Sequence, residues 1–211
     1  MSINPLLLPR NARQLFIKSP EGVLDTLELS PKIDNPIGIA IIFHPDPKGG
    51  GTYTNKIVQT IAKVMNNKGY LCFCPNLRGV GQSSGEHDFG HGEIQDGLAI
   101  VEYVKQHYPL LPIVFAGFSF GTAVASNVAK EIEHKQLLLI GPAVTRYDVV
   151  VPNRINTLVI HGHEDEVISV DDVYLWAEKN DIPITIFPKT GHFFHGKLIQ
   201  LQNYLEQVMD N

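Results

Sequence analysis

Apolar positions along the chain fall into two alternating rhythms. Residues 14–18 and 23–29 alternate apolar and polar around Pro20-Glu21-Gly22, which predicts a β-hairpin. Residues 37–44, 70–74, 113–116, 137–140, 158–161 and 184–187 are short, nearly continuous apolar runs. Between them lie longer stretches with helical spacing. Ile57, Ile61, Val64 and Met65 mark a helix over 52–67, ended by Lys68-Gly69. Ile94, Leu98, Val101 and Val104 mark another over 93–107. Residues 121–133, 170–179 and 198–209 complete the helical set, and 77–92 reads as a long Gly-rich loop. A hairpin followed by repeated strand–helix units predicts an α/β fold. Its sheet is mostly parallel, of about eight strands, with helices on both faces. Strands buried on both sides need continuous apolar runs, as seen here.

In such sheets the chemistry collects beyond the carboxyl ends of the strands. The residues that follow each apolar run are therefore the informative ones. They are His44-Pro45-Asp46, Asn76-Leu77-Arg78-Gly79, Gly117-Phe118-Ser119, Gly141-Pro142, Gly162-His163-Glu164-Asp165 and Gly191-His192. The pattern Gly117-Phe118-Ser119-Phe120-Gly121 is G-x-S-x-G between an apolar strand and a small-residue helix. A serine on that tight turn sits in strained geometry with its oxygen presented, and the glycines allow strand and helix to pass closely. The helix N-terminus favours developing negative charge. At ordinary glycine usage the bare pattern arises by chance in roughly a few per cent of chains this long. A serine that only caps a helix is the other plain reading.

A nucleophilic serine needs a base, and the base needs an orienting group. On this type of turn the chain order is Ser, then Asp or Glu, then His. Asp165 and His192 supply that order, each on a loop after its own strand. Glu164 and Glu166 flank Asp165 and could orient the imidazole instead, although a short Asp fits the turn best. His195 competes with His192. The oxyanion of an acyl transfer needs two donors. The backbone N–H of Phe120 is one. Pro45 has no N–H, so the Asp46 amide is the expected second.

Length and charge narrow the partners. With 211 residues, one domain over 1–211 is expected. Net charge is -5, which offers no field for nucleic acid or an anionic membrane. Residues 1–10 hold no basic n-region and their apolar run is bracketed by prolines, so no secretory signal is expected and the protein is expected in the cytoplasm. Cys72 and Cys74 form a C-x-C in an apolar run and read as reduced core thiols. His87 with His91, and His161 with His163, lack a third ligand at metal spacing, so no metal and no cofactor is expected. Lys48-Gly49-Gly50-Gly51 is not a P-loop, because no Gly-Lys-Ser/Thr follows. Arg78 pairs more readily with Glu93 or Asp96 at the next helix start than with a substrate carboxylate. Phe89, Phe118, Phe193 and Phe194 fit an acyl pocket and plain core equally well.

Taken together, these motifs make the sequence resemble the α/β-hydrolase superfamily, in particular its small, lidless bacterial group. The resemblance rests on His44-Pro45-Asp46-Pro47, Asn55-Lys56, Arg78-Gly79-Val80-Gly81-Gln82-Ser83-Ser84-Gly85, Gly117 to Gly121, His161-Gly162 with Asp165, and Gly191 to Gly196. It runs from the hairpin to the last helix. Asp46 departs from it, since a neutral residue is usual there. The resemblance implies an α/β-hydrolase fold and a Ser119-His192-Asp165 triad, and leaves the substrate open. Large lids in this superfamily follow the strand that here ends at Gly141; residues 142–156 have room for a loop or one helix only. An open, wet site is therefore expected, taking a small-molecule acyl substrate. Ester, thioester and peptide cleavage share this machinery. A binding protein on the same fold is the rival from another class.

Overall fold

In the computed structural model the two rhythms resolve into one eight-stranded sheet between two layers of helices. Residues 11–209 are described; the reading of the first ten residues falls outside them. The strands are β1 (Ala12–Ser19), β2 (Gly22–Leu29), β3 (Gly38–Phe43), β4 (Tyr70–Pro75), β5 (Ile113–Phe118), β6 (Gln136–Ile140), β7 (Thr157–Gly162) and β8 (Thr185–Phe187). The helices are α1 (Lys56–Asn67), α2 (His91–His107), α3 (Phe120–Glu131), α4 (Val170–Asn180) and α5 (Leu198–Val208). The sheet order is β1-β2-β4-β3-β5-β6-β7-β8. The pairs β1–β2 and β2–β4 are antiparallel, and all others are parallel.

Strands β3 to β6 are buried along their whole length, which is why they carry no polar alternation. Their side chains divide between two cores. Ile39, Ile41 and Phe43 face α2, α3 and α4, while Ala40 and Ile42 face α1 and α5. Cys72 and Cys74 both join the second core as free thiols, because residues two apart in a strand share a face.

Element ends differ from the periodic reading where single hydrogen bonds decide them. α1 starts at Lys56 rather than residue 52 because the Asn55 side chain accepts the Ile57 N–H at 2.9 Å. α2 starts two residues earlier than expected, at His91, with Glu93 accepting the Gly90 N–H at 2.8 Å. β5 runs on to Phe118, since Gly117 and Phe118 still pair with Leu139 and Ile140. A single 3-10 turn, Pro47–Gly49, follows β3 and has no periodic signature. Residues 142–156 form turns and loop with no helix, so no inserted helix caps the carboxyl edge of the sheet among the described residues. No described helix is long and apolar enough to cross a membrane.

Arg78 is a structural clamp. Its Nε and Nη2 donate to the two carboxylate oxygens of Asp96 at 3.0 and 2.9 Å, and its backbone N–H adds a third bond at 2.9 Å. Asp96 is fully buried, and a side chain on Gly92 would strike the guanidinium. The pair ties the loop after β4 to α2. Glu93, the other expected partner, instead accepts the Asp88 and Gly90 amides.

Candidate active site

Ser119 is the hinge between β5 and α3. Its backbone lies at φ 53° and ψ -120°, a region that L-residues rarely adopt. Close approach explains the flanking glycines. A Cβ on Gly117 would overlap the Gly121 carbonyl, and one on Gly121 would overlap the carbonyl of Phe43 and stand 2.7 Å from that of His44. The turn is tied to the next strand by Ser119 N–H donating to the Ile140 carbonyl at 2.9 Å.

Asp165 and His192 reach Ser119 from the loops after β7 and β8. The two loops are stitched together: His163 N–H donates to Phe187 and Glu164 N–H to Thr190, both at 2.9 Å. Asp165 Oδ1 accepts the Val167 and Ile168 amides at 2.9 and 2.8 Å. That leaves Oδ2 for His192 Nδ1–H, at 2.7 Å. Ser119 Oγ stands 2.9 Å from His192 Nε2. With Asp165 fixing the proton on Nδ1, Nε2 is the acceptor for the serine hydroxyl. Burial alone would raise the Asp165 carboxyl. The bond from His192 and the Ile168 and Val167 amides outweigh it and hold the group below its ordinary value. His161, buried beneath, donates its Nε2–H to the Ile168 carbonyl at 3.0 Å and lies 3.5 Å from Asp165 Oδ2.

The rivals are placed elsewhere. Glu166 accepts the backbone N–H of His192 at 3.2 Å and does not meet the ring, while Glu164 is exposed. His195 is exposed and stacks beside Phe193 at 5.8 Å. The four candidate pocket aromatics divide. Phe194 is fully buried against Phe187, plain core. Phe118 lies against His192 at 5.0 Å, and Phe193, 44 % exposed, meets the same imidazole edge-on at 5.1 Å and Phe118 at 6.3 Å. Phe89, 58 % exposed, carries the Lys48 ammonium 3.9 Å from its ring centre. No described element caps the site, and Ser119 is 8 % exposed and His192 2 %, with Phe118 and Phe193 packed beside the His192 ring.

The loop after β3 runs beside the Ser119 turn, because Phe43 pairs with Gly117. The Asp46 side chain points into its own loop. One oxygen accepts the Lys48 N–H at 2.8 Å and the other the Tyr147 hydroxyl at 3.4 Å. Its amide, and that of Phe120 at the start of α3, donate to no acceptor among the described residues. The unusual charge at position 46 is thus engaged within the protein. His44 is fully buried. Its Nδ1–H donates to the Pro45 carbonyl at 2.7 Å and its Nε2 accepts the Leu77 N–H at 3.0 Å. Burial pushes its pKa down to about 4.

That shift predicts an acid limb of stability. Above the unfolded value near 6.5 both states are neutral and the stability is complete. Below it the unfolded chain takes up a proton that folded His44 refuses, until the folded group titrates near 4. Urea unfolding should lose about 3 kcal/mol from this group over that window. His161, also pushed down by burial, adds in the same direction. Stability that stays flat from pH 7 to 4.5 would show that neither ring is held neutral.

Three contributors carry no local sequence signal or a weak one. Tyr147 lies in the loop after β6, where no periodicity points to it. Asp25 interrupts the apolar side of β2. It is buried and accepts from Gln14 at 2.7 Å, Asn76 at 3.2 Å and the Gln82 amide at 3.3 Å, holding the loop after β4. A buried acid inside a strand was the signal available. His44, Pro45 and Leu77 all stood in strand-end motifs, but nothing in the sequence showed that the His44 ring bonds to the other two. Among the described residues no group of three or more His, Cys, Asp and Glu is arranged to hold a metal.

Comparison with known proteins agrees with the fold. An α/β serine hydrolase without lid from Xanthomonas campestris is 35 % identical, over 96 % of this chain and 95 % of that one, with a TM-score of 0.87. An α/β serine hydrolase homologue from Coxiella burnetii is 31 % identical over 96 % and 100 %, with a TM-score of 0.86. An uncharacterised protein of Rickettsia prowazekii is 32 % identical over 94 % of this chain and 90 % of its own. The family model described as serine aminopeptidase, S33, matches residues 34–154. That span takes in the Ser119 turn and stops short of Asp165 and His192. A match across more than half its length makes this chain a member of the serine aminopeptidase S33 family, on a lidless α/β-hydrolase fold.

Proposed function

We propose that this hydrolase cleaves an ester or related acyl bond of a small soluble substrate through a Ser119-His192-Asp165 triad. The observation that carries the reading is the continuous relay from Ser119 Oγ to His192 at 2.9 Å and on to Asp165 at 2.7 Å. Ser119 Oγ attacks the carbonyl carbon while His192 Nε2 takes its proton. The tetrahedral oxyanion is held by the Phe120 and Asp46 amides. Collapse breaks the bond to the leaving group, which takes the proton from His192. Water, deprotonated by His192, then adds to the acyl-serine and releases the acid. Asp165 keeps the imidazole in the right tautomer and stabilises the imidazolium. The chemistry calls for no cofactor, nucleic acid or membrane, and a single domain in the cytoplasm suffices for it. Thioesters and peptides are open to the same machinery, and the family's description names an aminopeptidase. A panel of matched ester, thioester and peptide substrates ranks the three.

The test is covalent. A fluorophosphonate should add one adduct to the folded protein by intact mass, mapped to the peptide bearing Ser119 and absent from Ser119→Ala. A folded protein that takes no label is a binding protein on a hydrolase frame, and this reading fails.

The oxyanion donors can be tested separately. Asp46 sits at φ -50°, close to the angle proline imposes. Asp46→Pro removes the amide hydrogen with the side chain, and Asp46→Ala removes the side chain alone. Turnover of Asp46→Pro should fall about 100- to 1000-fold below that of Asp46→Ala. Equal rates would assign the second donor elsewhere.

A further inference from the structure

We propose that His44 is a positioning residue for catalysis, holding the Pro45–Asp46 peptide plane so that its N–H faces the oxyanion. This rests on the serine-hydrolase reading above and names a residue that reading does not use. In a trans peptide the C=O and N–H point in opposite directions. Whatever grips the Pro45 carbonyl therefore aims the Asp46 amide. His44 Nδ1–H grips that carbonyl at 2.7 Å. The ring cannot swing, because its Nε2 accepts the Leu77 N–H at 3.0 Å from the end of β4. The Leu77 bond also settles the tautomer: Nε2 must be bare, so Nδ1 carries the hydrogen. Full burial keeps the ring neutral, so the arrangement holds at working pH.

The rest of the loop is locked around the same amide. The Asp46 carbonyl, on its other side, accepts the Gly49 and Gly51 N–H groups at 3.1 and 3.0 Å. The Asp46 carboxylate accepts the Lys48 N–H. Both carbonyls that flank the Asp46 amide are thus fixed by the protein, and the amide hydrogen remains for a ligand. Gly51 fences the Pro45 carbonyl from the far side, since a Cβ there would overlap it. A preorganised donor costs no reorganisation as charge develops, which is where such groups earn their rate.

The two ring nitrogens can be replaced one at a time. In His44→Asn the amide nitrogen falls near the place of Nδ1 and keeps a donor for the Pro45 carbonyl. In His44→Gln the amide oxygen falls near the place of Nε2, keeping the Leu77 bond and losing the donor. His44→Gln should lose about 100-fold in kcat with KM within about threefold. His44→Asn should keep kcat within about tenfold of the wild type. Both should still label to completion at Ser119, which separates this idea from the triad reading. If Ser119 takes no label in the wild type, the underlying reading fails. If label persists and both variants lose kcat alike, or His44→Gln loses none, His44 is structural only and the proposal is overturned. Should the His44 variants not fold, Gly51→Ala presses on the same carbonyl while leaving the ring intact. It should lower kcat rather than raise KM, and an unchanged kcat there equally overturns the proposal.

Discussion

Replacing Ser119 with alanine should lower kcat for a short-chain aryl ester by about 10⁶-fold, as expected when triad members act as one unit. The fold gives no reason for a stability loss to confuse the result. The Ser119 side chain makes one hydrogen bond, to His192, and its backbone bonds to Ile140 and Thr122 remain. Alanine also inherits the same positive φ, so the turn is no more strained than before. Thermal unfolding should move little while turnover disappears. A residual rate from the oxyanion donors and substrate binding should persist above the uncatalysed reaction. Turnover within tenfold of the wild type would mean that another group attacks, and the relay would be incidental. Measuring kcat and KM together matters. A binding protein would keep its affinity and show no turnover in either form.

The sheet and the three residues at its edge were legible because burial writes periodicity directly into sequence. β3, β4, β5 and β6 are buried on both faces, so their apolar runs have no other reading. Ser119 was singled out by the G-x-S-x-G pattern, and Asp165 and His192 by chain order and position after a strand; the structure brings the three side chains together. The pairing of Arg78 with Asp96 was half legible. Charge at a helix start suggested it, but Glu93 was an equal choice until the guanidinium's depth was known. What escaped depends on contacts far apart in sequence or on single hydrogen bonds. Tyr147 meets Asp46 across 101 residues, and Asp25 meets Asn76 across 51. No local pattern encodes either. The ring packing around His192 escaped for a similar reason. Phe193 follows it in sequence, but the direction of its ring is set by the turn, and its neighbour Phe194 at φ 52° turns the other way into the core.

Asp165→Asn should cost about 10⁴-fold in kcat, more than loss of a charge alone would suggest, because the surrounding fold dictates which way the amide points. The Val167 and Ile168 N–H groups both aim at Oδ1. An acceptor must stay there, so the new NH2 takes the place of Oδ2, facing His192 Nδ1. Two donors cannot share that contact. The imidazole answers by moving its hydrogen to Nε2, where it faces Ser119 and can no longer accept the hydroxyl proton. The geometry survives and the proton path is lost. Fluorophosphonate labelling should slow in parallel with kcat, while KM moves little. Stability should respond in a defined pH range. Ionised Asp165, with its folded pKa held low, stabilises the native state above the unfolded value of 3.8 and loses that contribution as pH falls through the folded one. The asparagine variant should therefore be less stable at neutral pH and show a shallower acid limb below about 4, separate from the His44 window above it. Glu166 provides the sharpest check. Its carboxylate already lies at the His192 backbone amide, 3.2 Å away. If Asp165→Asn kept kcat within tenfold, Glu166 could swing to orient the ring, and Asp165→Asn/Glu166→Gln would then abolish turnover. With Asp165 as the orienting group, Glu166→Gln alone should leave the tautomer intact, and kcat should fall by no more than about tenfold.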